Sequence, residues 1–191
     1  MASSTLDKIK RSAMIKVVQT TLPGVLKIKR KVSEDHRGVY VKIYSQEEYL
    51  AAGIPIDFSK GEQDHSTSDR DVFRGLHGDI FTYKLVCCTA GELWLYVVNY
   101  EKDSKFFGKW EVFKLTHRNG LQILVPPVYL NGHLIRSEIG TFHYNQSVLY
   151  SGAKNQWSVK WNDTRFGITL PIDNPILSER DGGNLIGTIR N

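Results

Sequence analysis

Cysteine is scarce in this sequence, and long apolar runs are missing. Only Cys87 and Cys88 occur. On a strand, neighbouring side chains point to opposite faces, so neither a disulfide framework nor a redox pair is expected. No stretch approaches the roughly 20 apolar residues that span a bilayer, and residues 1–14 lack the apolar segment of a secretory signal. We therefore expect a protein of the reducing cytoplasm with no membrane partner.

The charge balance is basic, with 25 Lys and Arg against 20 Asp and Glu, a formal net charge of +5. Such a balance favours anionic partners, whether nucleic acid, an anionic surface or a phosphorylated small molecule, and charge alone does not choose among them. A length of 191 residues with 41% hydrophobic content suits one core. We expect a basic N-terminal tail at 1–14 and a single domain at 15–191.

Short apolar runs separated by turn residues make up most of the chain. Many evenly spaced strands with almost no helix predict an all-β sandwich or jelly roll, whose open mouth suits a small-molecule cleft. The run at 92–100 is apolar on both faces, which is typical of an inner strand. The predicted strands are 26–32, 39–44, 92–100, 110–115, 121–125, 133–137, 141–144 and 157–161.

One short peripheral helix is predicted at SQEEYLAAG, and the fold class allows one or two. Ser45 is placed to cap its start, and Glu48 is placed to complete a capping box. Gly53, followed by Pro55, is placed to end it.

His77, in VFRGLHGD, is a candidate base, metal ligand or buried structural side chain. A first-row metal site would need histidines at short, face-matched spacing. The six histidines are singletons, so no metal is expected. A serine hydrolase is disfavoured because the GxSxG turn is missing.

Seven motifs resemble in their order the dTDP-4-dehydrorhamnose 3,5-epimerase family, and the resemblance runs from about Val25 to Asp181. They are DHRGVY (35–40), VFRGLH (72–77), YKLV (83–86), GKW (108–110), FHY (142–144), WND (161–163) and PILSERD (175–181). The resemblance implies a jelly-roll cupin fold, a homodimer that exchanges strands between subunits, no metal and no cofactor. It also implies that His77 is the catalytic base.

The chemistry of epimerisation beside a ketone needs a base, a group that stabilises the enolate, and an acid on the opposite face. Histidine titrates near neutrality, which suits the base. By resemblance, Asp181 is the carboxylate partner of His77, Lys84 carries the positive charge at the enolate oxygen, and Tyr144 is the acid. Arg37 and Arg74 match family arginines that can grip a diphosphate with a planar fork.

Further predicted substrate-binding residues are Asn131, His133 and Tyr150. Arg74 and His77 are three apart, so on a regular strand they would face opposite sides. Because the family places both in the site, Gly75 is predicted to mark a bulge or local twist.

The sequence also departs from the family pattern. Asn131 replaces the usual second histidine, Leu95 and Asn99 stand where aspartates are usual, and Lys42 replaces a common glutamate. The sugar pocket is therefore expected to differ. The Asn-x-His spacing and the HGD…TYKL combination are similar to a branch acting on GDP-linked 4-keto heptoses, so the nucleotide (dTDP or GDP) and the number of inverted centres stay open.

The expected function is epimerisation at carbon 3 and/or carbon 5 of a nucleoside-diphosphate 4-keto-6-deoxy sugar, in cell-surface or secondary-metabolite sugar biosynthesis. The alternative is a non-catalytic cupin that binds a nucleotide sugar. A nucleic-acid partner is not expected, because the basic strand LKIKRKV at 26–32 is more typical of a solvated edge that discourages sheet pairing.

Overall fold

Strands dominate the computed structural model, which describes residues 15–182. The strands are β1 (Ile15–Gln19), β2 (Leu26–Arg30), β3 (Val32–Asp35), β4 (Gly38–Val41), β5 (Glu62–Asp69), β6 (Phe73–Gly78), β7 (Lys84–Ala90), β8 (Glu92–Asn99), β9 (Trp110–Thr116), β10 (Leu121–Val125), β11 (Tyr129–Ile135), β12 (Ile139–Gln146) and β13 (Trp157–Ser158). The helices are α1 (Gln46–Ala51) and two 3₁₀ turns at Ala153–Asn155 and Glu179–Asp181.

Two antiparallel sheets face each other. One has six strands in the order β1-β2-β10-β7-β12-β5, and the other has five in the order β13-β6-β11-β8-β9. Strands β3 and β4 form a separate two-stranded hairpin. Val86 and Phe142 from the six-stranded sheet pack in one buried cluster with Leu95 and Phe113 from the five-stranded sheet. The predicted all-β sandwich is confirmed.

The outer face of the five-stranded sheet is also buried, because chain beyond β13 returns over it. Tyr96 and Val98 alternate with the inward-facing Leu95 on β8, and they pack against Phe166 and Ile168. This second apolar layer explains why the run at 92–100 is hydrophobic on both faces. The six-stranded sheet is covered on its outer side by α1 and the residues that follow it.

Helix α1 ends as predicted and begins differently. Gly53 has φ +80°, the left-handed conformation that glycine adopts most readily after a helix. Ser45 occupies the N-cap position in extended conformation without a side-chain cap bond, so the predicted capping box is wrong. Glu48 instead accepts hydrogen bonds from Arg30 at 2.6 Å and from Lys42 at 2.7 Å. Its carboxylate is buried and therefore needs charged partners, whereas the backbone N–H groups at the exposed helix start can bond to water.

Several strand predictions need correction. The predicted strand at 26–32 divides into β2 and β3, and β2 lies between β1 and β10, so the predicted solvated edge is wrong. The run at 157–161 forms a strand only at Trp157–Ser158, after which Val159 exchanges backbone hydrogen bonds with Leu76. Strand β5 was not predicted, since its sequence EQDHSTSD is polar throughout. It lies at the edge of its sheet, where polar side chains meet solvent on one face and an open space between the two sheets on the other.

Cys87 and Cys88 are both buried and unpaired, and Cys88 packs into the inter-sheet cluster while Cys87 lies on the outer face of β7. No helix within residues 15–182 is long and apolar enough to cross a membrane. The predicted basic tail at 1–14 lies outside the described residues.

Candidate active site

A cleft of about 280 Å³ opens between the two sheets. Residues from β5, β7 and β12 line one wall and residues from β6 and β11 the other, and the end of the described chain closes one side. The lining residues are Ser66, Arg74, His77, Lys84, Asn131, His133, Phe142, Tyr144, Gln146, Tyr150, Gln156, Ser178, Arg180 and Asp181. Eight of the nine residues predicted from the sequence to form the site meet here.

His77 and Asp181 form a hydrogen-bonded pair in the cleft. Nε2 of His77 lies 2.7 Å from Oδ1 of Asp181, and the Asp181 side chain is 4% exposed against 21% for His77. The second oxygen of Asp181 accepts a hydrogen bond from the backbone N–H of Gly75 at 3.3 Å. A carboxylate held at both oxygens fixes the orientation of the imidazole.

The chain beyond β13 delivers Asp181. Val72 and Ile176 form a parallel bridge, and Phe73 donates its N–H to the carbonyl of Ile176. The 3₁₀ turn Glu179–Asp181 then begins at Ser178, whose hydroxyl accepts from the N–H of Asp181. Strand β6 therefore both carries His77 and anchors the segment that brings its partner.

The charge of Asp181 is set by two opposing effects. Burial alone would raise its pKa, but the hydrogen bond and positive charge of His77, with hydrogen bonds from Gly75 and Ser178, outweigh burial and hold the pKa below its usual range. Asp181 is thus an anion at neutral pH, and it lies against Nε2 of His77.

Gly75 makes it possible for Arg74 and His77 to share the cleft. Its φ is +121°, and the pairing of β6 with β11 shifts register, since His77 faces Asn131 while Arg74 faces His133. Three steps along β6 thus match two along β11. The predicted irregularity at Gly75 is confirmed. A Cβ at this position would lie 2.5 Å from Cα of Gly132.

Lys84 projects into the cleft from the start of β7. It is buried, and its Nζ donates to Oδ1 of Asn131 at 3.3 Å. Burial lowers the pKa of Lys84 and Arg180 lowers it further, while the nearby carboxylate of Asp79 raises it. Any positive charge on Lys84 would be screened poorly by water at this depth.

Tyr144 lies on β12, in the sheet opposite His77. Burial, reinforced by the negative charges of Asp64 and Glu62, raises the pKa of its phenol to about 12. The hydroxyl therefore keeps its proton across the physiological range. The cleft thus has a paired imidazole on one wall and a protonated phenol on the other.

His133 is a buried neutral side chain. Its ring stacks on Phe142 with centroids 4.0 Å apart, and burial together with the charges of Arg74 and His77 lowers its pKa to about 3. An imidazole with that pKa is uncharged at neutral pH and a weak base. His133 is therefore suited to packing and hydrogen bonding rather than to proton abstraction.

The cations of the site differ in part from those predicted. Arg74 enters the cleft, where its Nε donates to the hydroxyl of Ser68 at 3.0 Å. Arg37 does not: it lies on the β3–β4 hairpin with a 79% exposed side chain and pairs with Asp35 at 2.6 Å. The role of Arg37 in binding the diphosphate stays a prediction.

Arg180 is a cleft residue that sequence reasoning missed. Its guanidinium donates to Ser158 at 2.9 Å and to Gln156 at 3.2 Å. Its position directly before the predicted catalytic Asp181 could have indicated from the sequence that Arg180 lies in the cleft. Within residues 15–182, no group of three or more His, Cys, Asp and Glu side chains is arranged to hold a metal ion.

The model of the family described as dTDP-4-dehydrorhamnose 3,5-epimerase matches residues 19–185. The chain belongs to the dTDP-4-dehydrorhamnose 3,5-epimerase family. Among curated proteins, the dTDP-4-dehydrorhamnose 3,5-epimerase of Salmonella typhimurium (strain LT2) is 34% identical over 173 residues, which is 88% of this chain and 93% of that protein.

Solved structures agree with this membership. The dTDP-4-dehydrorhamnose 3,5-epimerase of Elizabethkingia anophelis is 32% identical with a TM-score of 0.76, and the match covers 88% of this chain and 93% of that one. The dTDP-6-deoxy-D-glucose-3,5-epimerase of Legionella pneumophila, in complex with dTDP-4-keto-L-rhamnose, is 26% identical with a TM-score of 0.80 and covers 88% and 90%.

Membership of this family makes the protein an isomerase of nucleotide-sugar biosynthesis. The expectation of a cupin-type fold is confirmed by the same structures.

Proposed function

We propose that this epimerase inverts carbon 3 and/or carbon 5 of a nucleoside-diphosphate 4-keto-6-deoxy sugar through an enolate. The observation that carries the proposal is the His77–Asp181 pair on one wall of the cleft, facing the protonated phenol of Tyr144 on the other. A module that only binds a sugar has no need of a base and an acid on opposite walls.

His77 removes the proton from the carbon beside the ketone. Because Nε2 is held by Asp181, Nδ1 is the ring nitrogen left to accept that proton. The imidazolium that forms is stabilised by the anionic carboxylate, which stays ionised throughout. The electron pair of the broken C–H bond forms the C=C bond of the enolate, and the π pair of the carbonyl moves onto its oxygen.

Lys84 stabilises the enolate oxygen. Its ammonium is buried in the cleft, where an electrostatic interaction is stronger than in water. Tyr144 then returns a proton to the opposite face of the same carbon, and the configuration inverts. No metal or cofactor enters this scheme.

Two arginines of the cleft, Arg74 and Arg180, serve the diphosphate. Both carry a guanidinium held in place by neutral partners, which leaves the positive charge available to phosphate oxygens. Asn131, His133 and Tyr150 complete the proposed substrate-binding set.

A homodimer is part of the proposal. The β3–β4 hairpin pairs with neither large sheet, and it holds the exposed Arg37 away from its own cleft. A second copy would allow Arg37 to reach the diphosphate in the partner's cleft. We place the enzyme in the cytoplasm, where unpaired Cys87 and Cys88 would stay reduced.

dTDP is the nucleotide that we propose first, because the relatives are named for dTDP sugars and the Legionella structure holds one. A GDP-linked 4-keto heptose is the second candidate. It is favoured by Asn131 and His133, which occupy the cleft where the family motif has another histidine and an aromatic residue.

The test is solvent exchange in D₂O with freshly generated dTDP- and GDP-linked 4-keto-6-deoxy hexoses and a 4-keto heptose. We expect deuterium at the carbons that flank the ketone, which identifies the nucleotide and counts the centres by NMR. His77→Asn should lower exchange by roughly 10²- to 10⁴-fold. Binding of a nucleotide sugar without exchange would instead support the non-catalytic alternative.

A further inference from the structure

Lys84 and Asn131 join the two walls of the cleft. Lys84 comes from β7 in the six-stranded sheet and Asn131 from β11 in the five-stranded sheet, and the 3.3 Å hydrogen bond between Nζ and Oδ1 crosses the gap. Lys84 is 8% exposed and Asn131 is 7% exposed. The flexible lysine side chain is thus restrained at its terminal nitrogen as well as at its backbone.

The surroundings of the ammonium contain several charges. The carboxylate of Asp79 favours the charged form of Lys84, and the positive charge of Arg180 disfavours it. The carboxylate of Asp79 is itself engaged with two backbone N–H groups and the hydroxyl of Thr82. The other titratable side chains of the same cleft are Arg74 and His77 on β6, His133 on β11, Tyr144 on β12, Tyr150, and Asp181.

An amide differs from a carboxylate as a partner for this lysine. The amide oxygen accepts an N–H and so favours the charged form, yet it carries no net charge of its own. The amide therefore does not reduce the positive potential that the ammonium exerts on a third group. A carboxylate in the same place would orient the lysine equally well but would cancel much of that potential.

We propose that Asn131 is a positioning residue for Lys84, holding the ammonium toward the enolate oxygen without adding a compensating negative charge of its own. The catalytic half of this inference rests on the function proposed above, whereas the contact itself does not. Asn131 was predicted from the sequence only as a substrate-binding residue.

The experiment measures Lys84 directly and through turnover. NMR of lysine labelled at Cε and Nζ, assigned with Lys84→Arg, follows the titration of Lys84 in the wild type, Asn131→Asp and Asn131→Leu. Asn131→Asp should raise the pKa of Lys84 by about one unit or more, and Asn131→Leu should lower it. The alkaline limb of the kcat profile should move in the same directions.

The size of the change in kcat distinguishes two effects of Asn131, orienting Lys84 and adding no negative charge beside it. At a pH where Lys84 is charged in both proteins, Asn131→Asp should turn over at least about tenfold more slowly than the wild type, because the new carboxylate pairs with the ammonium. Full activity of Asn131→Asp at that pH would overturn the role of an uncharged partner. An unchanged Lys84 titration in both variants would overturn the contact.

Matched controls come from Asn145, a buried asparagine of β12 that pairs with Leu85, whose side chain packs on the outer face of the six-stranded sheet. Asn145→Asp and Asn145→Leu should leave the Lys84 titration unchanged, and Asn131→Ala replaces Asn131→Leu if the latter does not fold. If wild-type protein exchanges no substrate proton, the proposed function fails, while the titration still decides whether Asn131 sets the state of Lys84.

Discussion

Replacing Asp181 with asparagine removes a charge and almost no volume. Asp181 accepts at 2.7 Å from His77 and at 3.3 Å from Gly75, and it is buried beneath the imidazole. An amide at this position still offers one acceptor oxygen. The substitution therefore tests whether the negative charge at His77 matters, rather than whether the site keeps its shape.

The magnitude follows from the hydrogen bond. A bond to a charged group contributes about 1.5–3 kcal/mol. The imidazolium exists only after proton abstraction has begun, so this stabilisation belongs to the transition state and its loss should lower kcat rather than raise KM. At about 1.36 kcal/mol per tenfold, kcat should fall between about 10- and 150-fold.

Solvent deuterium incorporation, followed by mass spectrometry at saturating substrate, measures that rate. The matched control is Asp163→Asn, which also breaks a close pair, with Arg165 at 2.7 Å, but outside the cleft. It should exchange at the wild-type rate. If Asp181→Asn folds normally and keeps the wild-type kcat, Asp181 does not assist His77 and the proposed dyad is refuted.

Three further predictions concern the acid, the backbone and a buried ion pair. Tyr144→Phe should let deuterium exchange continue while net inversion, read by NMR, falls at least about tenfold, because the C–H proton can leave but the opposite face lacks a donor; equal inversion and exchange would exclude Tyr144 as the acid. Gly75→Ala should lower the free energy of urea unfolding by about 3 kcal/mol, and Gly53→Ala, where φ is +80° but nothing lies within 4 Å of the new Cβ, should cost clearly less; equal losses would mean that close contact at Gly75 is unimportant. Glu48→Gln should cost about 3–5 kcal/mol at neutral pH by leaving buried Arg30 without an anionic partner. Burial would raise the pKa of Glu48, but its cationic partners hold it below the usual value, so the stability that it adds is present above about pH 4.3 and lost as the pH falls through the lowered pKa; the difference between wild type and variant should shrink in acid.

The pattern of apolar residues predicted most strands of the sandwich. It failed where a strand is polar throughout or very short. Strand β5 was missed because EQDHSTSD has no apolar period, and only its pairing with β12 makes it a strand. Strand β8 was recognised because it is apolar on both faces, although the chain that covers its outer face was not foreseen. The start of α1 was misjudged because Glu48 could equally serve a helix start or a buried arginine.

The site was predicted by motif order rather than by pattern. His77 and Asp181 lie 104 residues apart in sequence, and nothing in the composition of either segment brings them together. Gly75 is the exception, since two site residues at an odd spacing required an irregular strand. Arg180 was missed because the motif drew attention to Asp181 alone.

The route by which Asp181 reaches His77 has a consequence for biosynthesis. A ribosome that adds about 5–20 residues per second needs roughly 5–20 s to travel from His77 to Asp181, so both sheets can be made before the dyad exists. The same returning segment covers the apolar outer face of the five-stranded sheet through Phe166 and Ile168. Until that segment docks, a nascent chain exposes an apolar sheet face and lacks the His77–Asp181 pair. Docking of the segment covers the face and completes the pair in one step. Catalytic activity therefore indicates that this face has been covered.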